Sequence, residues 1–280
     1  MKAKQVYEFI QSKSLKKSVG NTISIKYKRI IDWFKEYYPD WDLNDEFKIN
    51  DDLSVYVSKN MQFSNFTWIP FDKIDIDGFA ELRSSKIYPK YIELSGPLYF
   101  NKYQALDLSS IEYLRTSSLF YDGYNISALP QVIELYEGYI TLKDSNIKQL
   151  PNKFYGLNKN YILEEGLLKS LELNTIRIKE LIYPKLNIIN KLIITNLNEL
   201  IKIKINNCII NKDLEINYCK NLESISGNYK IYGDLVINNC ENLKKLNGTF
   251  NAESAYIYET SLSEEEIREK IKVKKYLRIN

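Results

Sequence analysis

Asp213-Leu214-Glu215-Ile216-Asn217-Tyr218-Cys219-Lys220-Asn221-Leu222 and Asp234-Leu235-Val236-Ile237-Asn238-Asn239-Cys240-Glu241-Asn242-Leu243 are almost the same ten residues, set 21 apart. Leu-x-Ile puts two apolar side chains on one face of a strand, because strand side chains alternate with a period of two. The small cysteine lies just past the strand, where it suits a tight turn, and Leu222 and Leu243 pin the return segment to the same core. One such unit has no core of its own. Stacked copies bury one another, so the repeat itself dictates a solenoid.

Outward from this pair the period persists. Leu192, Leu214, Leu235 and Tyr256 follow at steps of 22, 21 and 21, with Ile194, Ile216, Ile237 and Tyr258 beside them. An upstream array steps by 21 through Leu98, Leu119, Ile140 and Tyr161, and in parallel through Leu108, Leu129, Leu150 and Leu171. The step joining the arrays, Tyr161 to Leu192, is 31, which leaves about ten residues around Ile176 and Ile178 without a place in the repeat. Leu119, Leu129, Leu142, Leu150, Leu214, Ile216, Leu235 and Leu243 are expected to be buried in stacked columns.

The flanks read differently. In residues 1–70, Val6, Phe9 and Ile10 form one apolar helical face. Ile23, Tyr27, Ile30, Ile31 and Phe34 form a second, which Pro39 terminates. Alternating stretches such as Leu53-Ser54-Val55-Tyr56-Val57 follow as short strands. This predicts a small N-terminal α+β cap or docking domain over 1–70, a transition over 71–97 and the solenoid over 98–262. Over 263–280 it predicts a capping helix and tail. Ser263 followed by Glu264, Glu265 and Glu266 is a capping box, and the helix runs through Ile267 and Ile271 to Lys272, Lys274 and Lys275. The fold class expected is α+β.

The pattern Leu-x-Leu, a gap, then Ile-x-x-Leu-Pro (Ile126 to Pro130, Ile147 to Pro151) resembles the short bacterial type of leucine-rich repeat. Gly233 to Leu246 is similar to repeats of bacteriophage and prophage proteins, as is the ending Thr260-Ser261-Leu262-Ser263-Glu264-Glu265-Glu266-Ile267. The resemblance covers roughly 98–280. It implies a binding or structural role without catalysis, in a virion or the bacterial cytoplasm, with a phage structural or bacterial host protein as partner.

Composition limits the chemistry. The 280 residues contain no histidine, which removes Ser-His-Asp and Cys-His catalysis and the usual histidine-bearing metal sites. Cys208, Cys219 and Cys240 are too few for a four-cysteine metal site, and an odd number argues against a disulfide framework. No phosphate-binding glycine loop is present, and no cofactor or metal is expected. Lys73-Ile74-Asp75-Ile76-Asp77-Gly78 lacks the ligands of a calcium loop and reads as an edge strand with outward carboxylates. The net charge of +3 is small, and there is no nucleic-acid motif. Residues 1–30 carry eight Lys/Arg against Glu8, and residues 31–53 carry eight Asp/Glu against Lys35 and Lys48, which reads as two neighbouring faces that attract. No apolar run is long enough to span a membrane, and the start of the chain carries no cleavable signal pattern.

The functional expectation is therefore a surface. In each Leu-x-Leu strand the middle residue points away from the core, giving Tyr99, Phe120, Thr141, Ile162, Ile193, Glu215, Val236 and Ile257. Tyr99, Phe120, Ile162, Ile193, Val236 and Ile257 form an apolar stripe, rimmed by polar residues two positions on, as an interface requires. The alternative from another class is a parallel β-helix that binds or cleaves glycans, recruiting carboxylates such as Asp122, Glu164 and Glu215.

Overall fold

A computed structural model describes residues 17–83, 85, 87–100, 106–122, 126–143, 145–147, 150–157, 163–165, 167–168, 170–174 and 176–280. The chain is a β-solenoid of about nine turns with a repeat of about 21 residues. It is mostly β, with two helices among the described residues. One parallel sheet of eleven strands runs its whole length, from Met61–Phe63 to Leu277–Ile279. Across the core lie an eight-stranded sheet over the N-terminal half and a six-stranded sheet over the C-terminal half. All eight leucine and isoleucine positions expected in buried columns are buried. Leu171, Leu192, Leu214 and Leu235 stack in direct register along the long sheet.

The stacking begins before the repeat becomes readable. Met61 pairs with Ala80 and Ala80 with Leu98, so residues 61–97 already form coils of the long sheet. Their steps of 19 and 18 residues (61 to 80 to 98) fall outside the 21-residue period, which hid them. Lys73–Ile76 is likewise no edge strand: it pairs with Val55–Val57 on one side and Tyr91–Leu94 on the other.

Two registers differ from the sequence expectation. The long step falls between Ile140 and Leu171, which pair directly, and not between Tyr161 and Leu192. The extra length lies where Leu163–Glu165 turns back antiparallel on Lys153–Leu157, before the chain hands over from one back sheet to the other. Ile176 and Ile178, unplaced by the repeat, are buried just ahead of the first long strand of the six-stranded sheet, Glu180–Ile188. The second change is a coil one residue short: Leu235 pairs with Ala255, not Tyr256. A one-residue slip exchanges the two faces of a strand.

A helix packs at each end of the stack. The helix Lys17–Tyr37 buries Ile30, Trp33 and Phe34 against Phe47, Phe66 and Phe71, and Trp33 Nε1 donates to the Trp68 carbonyl at 2.8 Å. Tyr38 donates its hydroxyl to the Gln62 carbonyl, an edge group of the first strand of the long sheet. Val6, Phe9 and Ile10 lie outside the described residues. At the other end Ser263 caps Glu264–Lys270, accepting from the Glu266 N–H at 3.1 Å. The helix stops at Lys270 instead of running on through Ile271. Ile271–Val273 and Leu277–Ile279 are strands pairing with Phe250–Ala252 and Ala255–Ile257. The Glu266 carboxylate accepts the Leu246 N–H at 2.6 Å, satisfying an edge donor that would otherwise template another chain.

Candidate functional site

The outer face of the long sheet carries the expected interaction column, in altered membership. Tyr99 is 52% exposed and meets Phe79 edge-on, ring centroids 5.4 Å apart. Phe120 occupies the next backbone position along, opposite Thr141, and its side chain lies outside the described set. Ile162 is outside the described residues altogether, and the register puts Glu172 between Thr141 and Ile193 in that column. Ile193 and Val236 are half-buried on the face, separated by Glu215. Ile257 is corrected: it is 1% exposed and stacks inward on Ile237, while Tyr256 takes the outward place opposite Val236. The stripe is therefore two apolar patches, at Tyr99 and at Val236–Tyr256, with paired charges between them. Lys143 pairs with Glu172 at 2.9 Å and Lys191 with Glu215 at 3.1 Å.

The densest group of titratable side chains lies on the eight-stranded sheet, and the sequence reading passed over it. The register sets Asp75, Glu93, Arg115 and Glu134 side by side on its outer face. Arg115 bridges Glu93 (3.2 Å) and Glu134 (2.7 Å) and lies over the Tyr136 ring at 4.6 Å, while Lys73 holds Glu93 at 2.6 Å. Burial works to raise the Glu93 carboxyl, but the bonds from Lys73 and Arg115 outweigh it and hold the group below its ordinary range. Asp75 is pushed up by its own burial and by Glu93 opposite. Glu93 and Glu134 each have a cation, so the arrangement ties neighbouring coils together. A signal for it was present in the chain: Tyr56 donates to Asp77, Tyr91 to Glu112 and Tyr113 to Glu134, each 21 residues on.

The three carboxylates named for glycan cleavage belong to separate strands. Asp122 and Glu215 sit in the long sheet, where Glu215 is taken by Lys191, and Glu164 is in the eight-stranded sheet.

Cys219 and Cys240 occupy the same corner of successive coils, and each thiol approaches two backbone carbonyls, Ile194 and Asn217, then Ile216 and Asn238. Asn196, Tyr218, Asn239 and Glu259 precede these corner positions with positive φ, so the turn is one device repeated four times. Thr260 pairs with Cys240, where the period assigns Ser261. The hydrogen bond with Cys240 and burial push the Cys219 thiol far up, and burial alone pushes Cys208 up to about 12. All three thiols are buried, which keeps a reagent from reaching them in the folded chain. In native buffer a maleimide is expected to label these positions only after denaturant is added. Rapid labelling of the folded chain would show the corner to be open.

A cleft of about 620 Å³ marks the handover between the two back sheets, lined in part by Pro151, Arg177, Glu180, Tyr183 and Glu199. The Tyr183 hydroxyl donates across it to the Pro151 carbonyl at 2.8 Å.

No family model, curated protein or solved structure matches this chain. Its class rests on its own geometry: a repeat protein of the β-solenoid kind. Among the described residues, no helix is long and apolar enough to cross a membrane.

Proposed function

We propose that this chain is a non-catalytic recognition scaffold that binds another protein through the outer face of its long sheet. The observation that carries the reading is Tyr99, a large aromatic half in solvent and braced by Phe79, on a sheet of eleven strands. Aromatic anchors held rigid by neighbours dominate protein interfaces, because they add contact area at little entropic cost. Ile193, Val236 and Tyr256 supply further apolar contacts along the same face. The likeness of the repeats to short bacterial leucine-rich repeats and to phage proteins supports a phage or prophage setting, as a virion component or an intracellular effector.

Tyr99→Ser is the test. Partner capture from native material, followed by cross-linking, is expected to map contacts to the Tyr99 strand in the wild type and to lose them in the variant. The thermal midpoint should stay nearly unchanged, since exposed substitutions away from caps and cores usually lie within about 0.5 kcal/mol. A variant that binds normally, or that unfolds, removes the face from consideration.

A further inference from the structure

The six-stranded sheet turns a different surface to solvent. Its inner positions are apolar and buried, and its outer positions carry Lys185, Lys202, Lys204, Lys230, Lys245 and Lys272. The carboxylate that shares these outer columns is Glu180, at one corner. Several lysines elsewhere are paired: Lys59 with Glu46, Lys73 with Glu93, Lys90 with Glu112 and Lys191 with Asp213. Among the described residues Lys185, Lys202, Lys204 and Lys245 have no ion-pair partner. A solvated face that only needed solubility would mix both signs.

The register orders these charges. One column reads Glu180, Lys202, Ser224, Lys245, and another reads Asn187, Ile209, Lys230, Asn251, Lys272. Each cation is followed by a neutral hydrogen-bonding side chain and then another cation, so the charges repeat at twice the strand spacing, about 9.5 Å. The two central columns read Ile182, Lys204, Ser226, Asn247 and Lys185, Asn207, Asn228, Thr249, so amides and hydroxyls fill their C-terminal part. Several are already cross-bonded, Asn247 to Ser226 at 3.3 Å and Thr249 to Asn228 at 3.0 Å, which holds the surface in place before anything binds.

From this geometry we infer that the face binds a linear acidic polysaccharide, with carboxylates on alternate sugars. Lysines at every second strand meet the carboxylates, and the amide and hydroxyl columns take the sugar hydroxyls between them. A nucleic acid fits less well. Single strands are held by bases stacked on successive aromatic side chains, whereas the outer columns of this sheet hold none and the exposed Tyr232 stands at the rim, its ring centre 4.8 Å from Lys230 Nζ. The surface belongs to a different sheet from Tyr99, so it goes beyond the protein-binding face and can fail without it.

The experiment is a binding titration of the full chain at low and high salt. The probes are hyaluronate (charged on alternate sugars), neutral dextran and an oligothymidylate of matched charge. Hyaluronate is expected to bind and to weaken as salt rises, because surface charges are screened. Dextran should not bind, and the oligonucleotide should bind more weakly. Lys202→Gln/Lys245→Gln should weaken hyaluronate binding about tenfold, the order of two lost surface ion pairs. Lys59→Gln/Lys90→Gln removes the same net charge from the other half of the molecule and should leave binding unchanged, as should Tyr99→Ser. The inference is overturned if hyaluronate does not bind at low salt or if the oligonucleotide binds tighter. An equal loss from the two lysine pairs would also overturn it.

Discussion

A Gly227→Val chain is expected to lose about 4 kcal/mol of stability or more, the range reserved for clashes that the backbone cannot relieve. The reason is local and geometric. In the six-stranded sheet Lys204 pairs with Ser226 and Asn207 with Asn228, so strand Lys202–Ile210 has one residue more than its neighbour there. The shorter strand crosses this point in a backbone conformation that residues with a Cβ rarely adopt. Gly227 does so at φ 129°, and a Cβ there would lie 1.7 Å from the Ile205 carbonyl oxygen. Gly248 stacks on it at φ 123° and meets the Gly227 carbonyl in the same way, at 2.1 Å. Neither obstacle is a side chain that can swing aside. Asn228→Ala, one residue on, should cost only about 1 kcal/mol for its bond to Thr249. Urea melts followed by far-ultraviolet circular dichroism compare the two. A Gly227→Val chain as stable as the wild type would mean that the coils do not approach this closely.

Trp33→Ala is expected to cost about 3–5 kcal/mol, the range for removing a large buried aromatic. Trp33 is fully buried, packs edge-on against Phe34, Phe66 and Phe71 at centroid distances of 4.7–5.1 Å, and leaves the Trp68 carbonyl unpartnered when removed. Its place at the end of the stack adds a second effect. Loosening the Lys17–Tyr37 helix opens the edge of the first coil, and unpaired parallel edges recruit other chains. Light scattering separates the two effects. Phe250→Ala, which breaks the stacked Tyr229–Phe250 pair inside the array, should destabilise comparably without promoting association. Equal association by both variants would show that the helix is ordinary core and not an end cover.

Much of this architecture was written in one dimension. Leu214-x-Ile216 and Leu235-x-Ile237 name their inward faces by alternation alone, and the capping serine at 263 and the helical face of Ile30 and Phe34 are equally local. The tyrosine-to-carboxylate pairs 21 residues apart were also legible, once the period was taken as a distance in space. Tyr91 and Glu112 are neighbours because one coil separates them. Other features had no local sign. The basic face of the six-stranded sheet needs the return segments to be strands of eight or nine residues, whereas the repeat specifies only their buried positions.

By itself, then, the sequence determined that this chain stacks, with what period, and which leucines and isoleucines of the regular coils face inward. Those properties follow from side-chain alternation and the inability of one repeat to bury itself. Tertiary structure alone decided the registers at the two irregular coils. Tyr256 and Ile257 both suit a strand, and either can face inward or outward. The hydrogen-bond ladder to Asp234–Cys240 chose between them by setting Ala255 on Leu235. At the long step, Leu171 satisfies the period of one column yet pairs with Ile140 of another. A ladder bonds every residue of a strand to its neighbour at once. Its register is therefore a collective choice that no single side chain announces, and it turned Ile257 inward and brought Glu172 to the surface.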